Sequence, residues 1–242
     1  SLISYTSGST GQPKGVLHSQ SSLVDNSRGV IDRFNLESDT KTLVKWLDFN
    51  ATLSSCLLTT LFIGGTVFIS RSKNPLEYLD EIALNKINLM FSVPSTCYDL
   101  IEAKKQRPKM KHSLTHFIVG GDHYDKKLFN DFYNEFKINF TPGMGMTETL
   151  FQCSLNNISN DGIGSVGIPM PGVQLKIIDE KGTQCETNKT GELYVSTPCM
   201  MIGYWNNPLE TGSVLQDGWL KTGDLGYIDE KGRLWIVGRT KN

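Results

Sequence analysis

Net charge of either sign is almost absent from this chain. Its 24 Lys and Arg face 25 Asp and Glu, a formal net charge of −1. No global field therefore draws it to nucleic acid or to an anionic membrane surface. Long apolar runs are missing as well. The stretch LLTTLFIGG is far too short to span a bilayer, and no signal-peptide pattern opens the sequence. The five cysteines (Cys56, Cys97, Cys153, Cys185 and Cys199) are odd in number, widely spaced and without a CxxC. That pattern excludes a disulfide framework or a cysteine zinc site and points to a reduced, cytoplasmic protein. Histidine is scarce too. His112 and His116 share helical spacing, yet LTHFIV reads as a strand, so no metal pair is expected. An initiating Met is also lacking, and the chain is expected to be cut from something longer. What remains is an ordinary globular composition over 242 residues, 38% hydrophobic, enough for one large domain or two small ones.

The densest signal is SLISYTSGSTGQPKGVLH, residues 1–18. A stretch so poor in side-chain bulk is either a linker or a loop whose backbone comes close to something. Ile3 and Tyr5 before it, and Val16 and Leu17 after it, read as two short strands, so the loop is held at both ends. Its glycines permit positive φ, its hydroxyls donate hydrogen bonds, and Lys14 brings a mobile charge, which together suit a polyphosphate. The Walker pattern does not fit, because Lys14 follows Pro13 and Gly15 stands where a Ser or Thr would hold magnesium.

Beyond the loop, helix and strand alternate. Leu23, Ser27, Val30, Ile31 and Phe34 recur at helical spacing. The stretch 53–63 reads as a helix apolar nearly all round and hence buried, followed by the strand TVFIS. Helices over 75–87 and from Pro94, strands at NLMFS and LTHFIVGG, a helix over 125–136 and a strand at INF (138–140) complete the alternation. It implies an α/β fold, a mostly parallel helix-covered sheet followed by a small antiparallel β unit. Ligands in such sheets sit beyond the carboxyl ends of the strands, where VGGD (119–122) and PGMGMTET (142–149) fall. After about Gly167 the segments VQLKIIDEKG, GELYVST and GYIDEKGRLWIVG alternate like half-buried strands. IDEKG occurs at both 178–182 and 228–232, read as two hairpins sharing one turn chemistry. The basic run KKQRPKMK (104–111) reads as a solvated loop, with a docking patch for an acidic partner as the other reading.

The opening loop, GMTE, GELYVST with GYWN, DGWLKTGDLGYID and GRTKN stand here in a fixed order. Together they resemble the AMP-forming adenylating superfamily of acyl-CoA synthetases, peptide-synthetase adenylation domains and luciferases, over essentially all 242 residues. The resemblance implies ATP-dependent activation of a carboxylic acid to an acyl-adenylate with release of pyrophosphate. Transfer to a thiol follows, on CoA or on the phosphopantetheine of an acyl carrier protein. It also implies site roles. Thr6, Ser7, Gly8, Ser9, Thr10, Gly11 and Lys14 match the loop on the β- and γ-phosphates. Thr147 matches a hydroxyl on the α-phosphate and Glu148 the Mg²⁺ ligand. Asp224 matches the carboxylate on the ribose hydroxyls and Arg239 a second ribose contact. Gly120, Gly121 and Asp122 match a segment lining the adenine and substrate pockets. The catalytic set is thus Lys14, Thr147 and Glu148.

Two positions depart from the pattern. Met144 stands where an aromatic ring usually stacks on adenine, and Pro142 where an amide or acid often meets its amino group. These motivate a rival reading, a degenerate nucleotide-binding scaffold. For the substrate, Ala51 stands where amino-acid-activating members place an Asp, and Asn50 where acyl-CoA synthetases often have a His. That favours an acid without an α-amino anchor, while Asp48 keeps the amino-acid reading open.

The implied division is an α/β part over 1–165, a β part over 166–238, and at 239–242 the start of a hinge, with Lys241 at the hinge position. In the family the next domain brings the lysine that bridges substrate carboxylate and α-phosphate. The chain by itself is therefore expected to catalyse poorly, by on the order of 10²–10³ for that lysine alone. Acyl-adenylate formation by this chain and by the full-length protein checks this. Comparable rates would place all the chemistry within these residues.

Overall fold

The computed structural model describes residues 1–6, 12–45, 56–150, 154–155 and 162–240. The chain divides into two compact units that interleave along the sequence. One comprises residues 27–143 and 157–164; the other comprises residues 1–26, 144–156 and 165–242. The sequence reading put one boundary near residue 165. The structure instead groups residues 1–26 and 144–156 with the later β part. The reason is strand pairing. β1 (Leu2–Thr6) and β2 (Lys14–His18) form a hairpin, and β2 also pairs with β11 (Gly203–Tyr204).

Helix α1 (Gln20–Phe34) starts at Ser19, whose Oγ accepts the Ser22 amide, and buries Ser27, Val30 and Phe34 on the expected face. The first unit then builds a parallel sheet from β3 (Lys41–Lys45), β4 (Thr66–Ser70), β5 (Leu89–Ser92), β6 (His116–Gly120) and β7 (Thr141–Met144), in the order β4-β3-β5-β6-β7. Between the strands run α2 (Leu58–Phe62), α3 (Pro75–Leu84), α4 (Pro94–Gln106) and α5 (Lys126–Phe136). Asn74 caps α3 through the Leu76 amide with Pro75 next to it, and Asp125 caps α5 through the Leu128 amide. Lys137 closes α5 in the left-handed conformation.

Three elements differ from the expectation and one is added. KTLVK, unnoticed in the sequence, is the strand β3 beside β5. The strand expected at 138–140 lies at Thr141–Met144, where Ile118, Val119 and Gly120 of β6 pair with Thr141, Pro142 and Gly143. Tertiary pairing overrides the low strand propensity of Pro and Gly. The two backbones approach so closely that a Cβ on Gly120 would meet the Gly143 carbonyl at 2.8 Å. The helix read over 53–63 is described only from residue 56. It is not buried all round: Thr59 and Thr60 face inward, while Leu61 and Phe62 are about half exposed. Lys104, in the basic run, is buried at the end of α4, and its ammonium donates to the carbonyls of Arg107 and Pro108. It caps a helix C-terminus rather than sitting in water.

His112 donates Nε2–H to the Phe136 carbonyl, and His116 packs edge-on against Phe34, so both serve packing. The core of this unit is aromatic. Phe117, Phe132, Phe136 and Phe140 are essentially inaccessible, and the ring of Phe132 contacts the other three.

The other unit is antiparallel. Besides the β1-β2-β11 sheet it holds β9 (Gln174–Ile178), β10 (Gly191–Ser196), β12 (Leu215–Gln216), β13 (Trp219–Ile228) and β14 (Leu234–Arg239). Their order is β12-β13-β10-β9, with β14 on β13. The helix α6 (Pro208–Val214) completes it, while the short strand β8 (Ser154–Leu155) follows β7 as the last strand in the order of the six-stranded sheet. Both IDEKG turns are built alike. Asp179 Oδ1 accepts from the Lys181 and Thr183 amides, and Asp229 Oδ1 from the Lys231 and Arg233 amides. Repeated sequence here is repeated turn chemistry.

Phe132→Ala should lower unfolding stability by about 3–5 kcal/mol, read by denaturant titration, because it opens a cavity among three rings. A change below 1 kcal/mol would mean that this cluster repacks freely.

Candidate active site

The GMTE segment sits on a 3₁₀ turn, Thr147–Thr149, and is tied down at every residue that matters. The Thr147 carbonyl accepts from His18 Nε2 at 2.8 Å, and the Glu148 carbonyl accepts from the Met201 amide at 2.8 Å. Thr149 Oγ1 accepts from the Met146 amide, and Leu150 closes the turn with φ +54°. A leucine held in the left-handed region costs free energy and persists only where its surroundings over-determine it. Because a carbonyl only accepts, His18 must carry its proton on Nε2. Its Nδ1 is buried without a partner. Burial pushes the His18 pKa down, against the opposing effects of the Thr147 bond and of Glu148, so the ring is neutral at physiological pH.

Glu148 itself is only 8% exposed. Its Oε1 accepts a 2.8 Å hydrogen bond from the Tyr204 hydroxyl, its one hydrogen-bond partner among the described residues. Burial raises the Tyr204 pKa, and the charge of Glu148 and the bond to it raise it further, as does Glu210. Tyr204 thus remains a donor throughout the ordinary pH range. On its ring face lies the Lys14 ammonium, 5.1 Å from the centroid, which is also paired with the Glu210 carboxylate of α6. Thr6 stands opposite Lys14 in the β1–β2 register, so these two residues close the Gly-rich loop from either side.

Asp224 owes its position to an irregularity in the sheet. Across β10 and β13, Glu192 faces Leu225 and Tyr194 faces Lys221, which leaves Thr222, Gly223 and Asp224 opposite Leu193 alone. Such a bulge re-aims a side chain. Thr222 Oγ1 repairs the ladder by donating to the Leu193 carbonyl and accepting from the Asp224 amide. Gly223 takes φ +74°, a conformation costly for a side chain. Directly across β14, Arg239 Nε donates to Asp224 Oδ1 at 2.8 Å. Burial still raises the Asp224 pKa, Arg239 pulls it down, and the nearby charge of Glu148 raises it again.

The structure therefore gathers Thr6, Lys14, Thr147, Glu148, Asp224 and Arg239 in one unit. Met144 belongs to that unit too and packs half-buried against the cluster of Ile177, Leu193, Val195 and Leu234. Gly121, with φ +85°, and the exposed Asp122 follow β6 in the other unit; Asp122 Oδ1 accepts from the His123 amide. Ser7, Gly8, Ser9, Thr10 and Gly11 lie outside the described residues, as do Asp48, Asn50 and Ala51. Sequence reasoning missed His18, Tyr204 and Glu210. The GYWN motif signalled the second of them, and nothing local signalled the other two. Burial pushes the thiol of Cys97 up, and that of Cys199 up to about 11, so neither is a nucleophile at neutral pH.

The profile of the family described as AMP-binding enzyme matches residues 1–205, and the chain belongs to that family. It is 33% identical to a feruloyl-CoA synthase of an Amycolatopsis species, over all of this chain and 50% of that protein. It is 29% identical to a 2-succinylbenzoate–CoA ligase of Bacillus licheniformis, over 98% of this chain and 49% of that protein. Among solved structures, ATP-bound MatB from Rhodopseudomonas palustris superimposes with a TM-score of 0.90 at 28% identity, over 99% of this chain and 48% of that one. The O-succinylbenzoate CoA synthetase (MenE) of Bacillus subtilis, in complex with ATP and magnesium ion, gives 0.90 at 27% identity, over 98% and 50%. The chain spans about half the length of the curated relatives it matches.

The raised pKa of Asp224 has a definite sign for stability. A carboxyl whose folded pKa exceeds its unfolded value contributes stability that is fully present below about 3.8 and lost as pH rises through the folded pKa. Asp224→Asn should therefore match or exceed the parent in denaturant midpoint at pH 7, with the difference closing on acidification. A large loss of stability in Asp224→Asn at pH 7 would show that the Arg239 pair outweighs desolvation.

Proposed function

We propose that the full-length protein joins a carboxylic acid to a thiol in two half-reactions driven by ATP. In the first, a carboxylate oxygen attacks the α-phosphorus, the bond to pyrophosphate breaks, and an acyl-adenylate forms. In the second, a thiol attacks the acyl carbon and AMP leaves. The observation that carries this reading is the site around Glu148. An acidic group, a cationic loop residue and a bulged Asp–Arg pair are fixed within one unit, and Glu148 shifts the pKa of Tyr204, His18 and Asp224 alike. Perturbed titratable groups gathered in one place mark a functional site.

In this reading Lys14, with Thr6 and the loop 7–11, takes the β- and γ-phosphates, and Thr147 the α-phosphate. Asp224 accepts the ribose hydroxyls and Arg239 makes a second ribose contact. Met144, Gly121 and Asp122 belong to the adenine and substrate side. The donor set suits magnesium. Glu148 is a single carboxylate held at one oxygen, and among the described residues no three His, Cys, Asp or Glu side chains gather. Mg²⁺ needs only one or two carboxylates beside water and phosphate oxygens. Glu148 would hold it, and bound there it would neutralise charge on phosphate oxygens. Tyr204 orients that carboxylate. His18, neutral and donating to the Thr147 carbonyl, holds the turn without adding charge.

For the acceptor, the names of the relatives favour CoA over a carrier-protein phosphopantetheine. We place the protein in the cytoplasm on the strength of its cysteine pattern; no helix among the described residues is long and apolar enough to cross a membrane.

Carboxylate-dependent ATP–pyrophosphate exchange by the full-length protein, on panels of aryl, fatty and amino acids, tests the reading and names the acid class. Glu148→Gln should lower exchange by on the order of 10²–10³. No exchange with any carboxylate, together with intact ATP binding, would favour the scaffold reading instead.

A further inference from the structure

We infer that Glu210 competes with the nucleotide's phosphates for Lys14, and so determines how far the site prefers a triphosphate over a monophosphate. The inference rests on the assignment of Lys14 to the β- and γ-phosphates proposed above. Lys14 is held from below by the ring of Tyr204 and from the side by the Glu210 carboxylate, with its side chain only 13% exposed and that of Glu210 32%. An ammonium so enclosed does not wait in water for a ligand. It already has a counter-ion.

The placement of Glu210 is built rather than incidental. Asn207 Oδ1 accepts from the Glu210 amide, and the Asn207 carbonyl accepts from both the amide and the hydroxyl of Thr211. Thr211 Oγ1 in turn accepts from the Tyr204 amide at 2.9 Å. Gly203 is shaped to this turn, since a Cβ there would meet Thr211 Cγ2 at 2.9 Å. One rigid turn thus carries both Tyr204, which holds Glu148, and Glu210, which holds Lys14.

The electrostatics follow directly. A polyphosphate brings several negative charges to Lys14, whereas Glu210 offers one. A polyphosphate can therefore displace Glu210, but it does so against the ion pair and against repulsion from a carboxylate that stays close by. AMP has no β- or γ-phosphate and leaves the pair intact. Once pyrophosphate departs, Glu210 recovers Lys14, which disfavours pyrophosphate rebinding and favours completion of the thiol step.

The experiment is calorimetry of the full-length protein with ATP and with AMP, each with Mg²⁺, on the parent, Glu210→Gln, Lys14→Met and the double variant. Glu210→Gln keeps the side-chain shape and the Asn207 cap, and matched melting temperatures verify its fold. It should bind ATP about two- to fivefold more tightly, the range that a partly exposed ion pair represents, with AMP affinity unchanged. Lys14→Met should weaken ATP alone, and the double variant should match it, because the effect of Glu210 passes through Lys14. A merely structural Glu210 would instead weaken both nucleotides. If Lys14→Met weakens ATP while Glu210→Gln leaves it unchanged or weaker, the competition is overturned and the phosphate assignment stands. If Lys14→Met leaves ATP binding unchanged, the phosphate assignment itself falls, and the competition with it.

Discussion

Glu148 is a carboxylate almost shut off from water, and the hydroxyl of Tyr204 is its one hydrogen-bond partner among the described residues. In so poorly screened a setting a charge reaches further than it would at a surface. Its neighbours register that reach. Tyr204 is held protonated, Asp224 resists ionisation despite Arg239, and only burial outweighs the pull of Glu148 toward protonation of His18. The turn that presents Glu148 is correspondingly over-determined, with backbone or side-chain bonds at Met146, Thr147, Glu148 and Thr149. A buried charge demands such support, since an unsupported one would move to water or lose its charge.

The support comes from far along the chain. The small β1-β2-β11 sheet carries Lys14 and His18 on its middle strand and Tyr204 on its edge. Lys14 and Glu210 lie 196 residues apart in sequence. The bulge that sets Asp224 works in the same manner, with Thr222 Oγ1 standing in for a missing ladder bond on Leu193. Preorganisation here is a matter of sheets and turns fixing side chains before any ligand arrives, which is the condition for electrostatic catalysis.

Local chemistry was the legible part. The helices expected over 75–87 and 125–136 lie at Pro75–Leu84 and Lys126–Phe136, the two IDEKG turns fold alike because Asp179 and Asp229 satisfy equivalent amides, and Ile3, Tyr5, Val16 and Leu17 mark the hairpin around the loop. Less legible was anything that depends on a neighbour's identity. Thr141–Met144 is a strand only because β6 lies alongside. Lys104 is buried only because its ammonium can satisfy carbonyls at the end of its own helix. Leu61 and Phe62 are exposed although their composition argues for burial, because Thr59 and Thr60 occupy the inward face.

By itself, the sequence determined the α/β alternation and the change to antiparallel texture after about residue 167, and it supplied the residues on which the proposed chemistry rests: Lys14, Thr147, Glu148, Asp224 and Arg239. These follow from short-range periodicity, turn preferences and motif order, all of which are written locally. Only the tertiary structure decided that residues 1–26 pack with the β unit, that Tyr204 holds Glu148, that His18 holds Thr147, and that Glu210 already occupies Lys14. Each of these is a pairing between groups distant in the chain. The energy of such a pairing depends on burial and mutual orientation, which exist only once the strands have met.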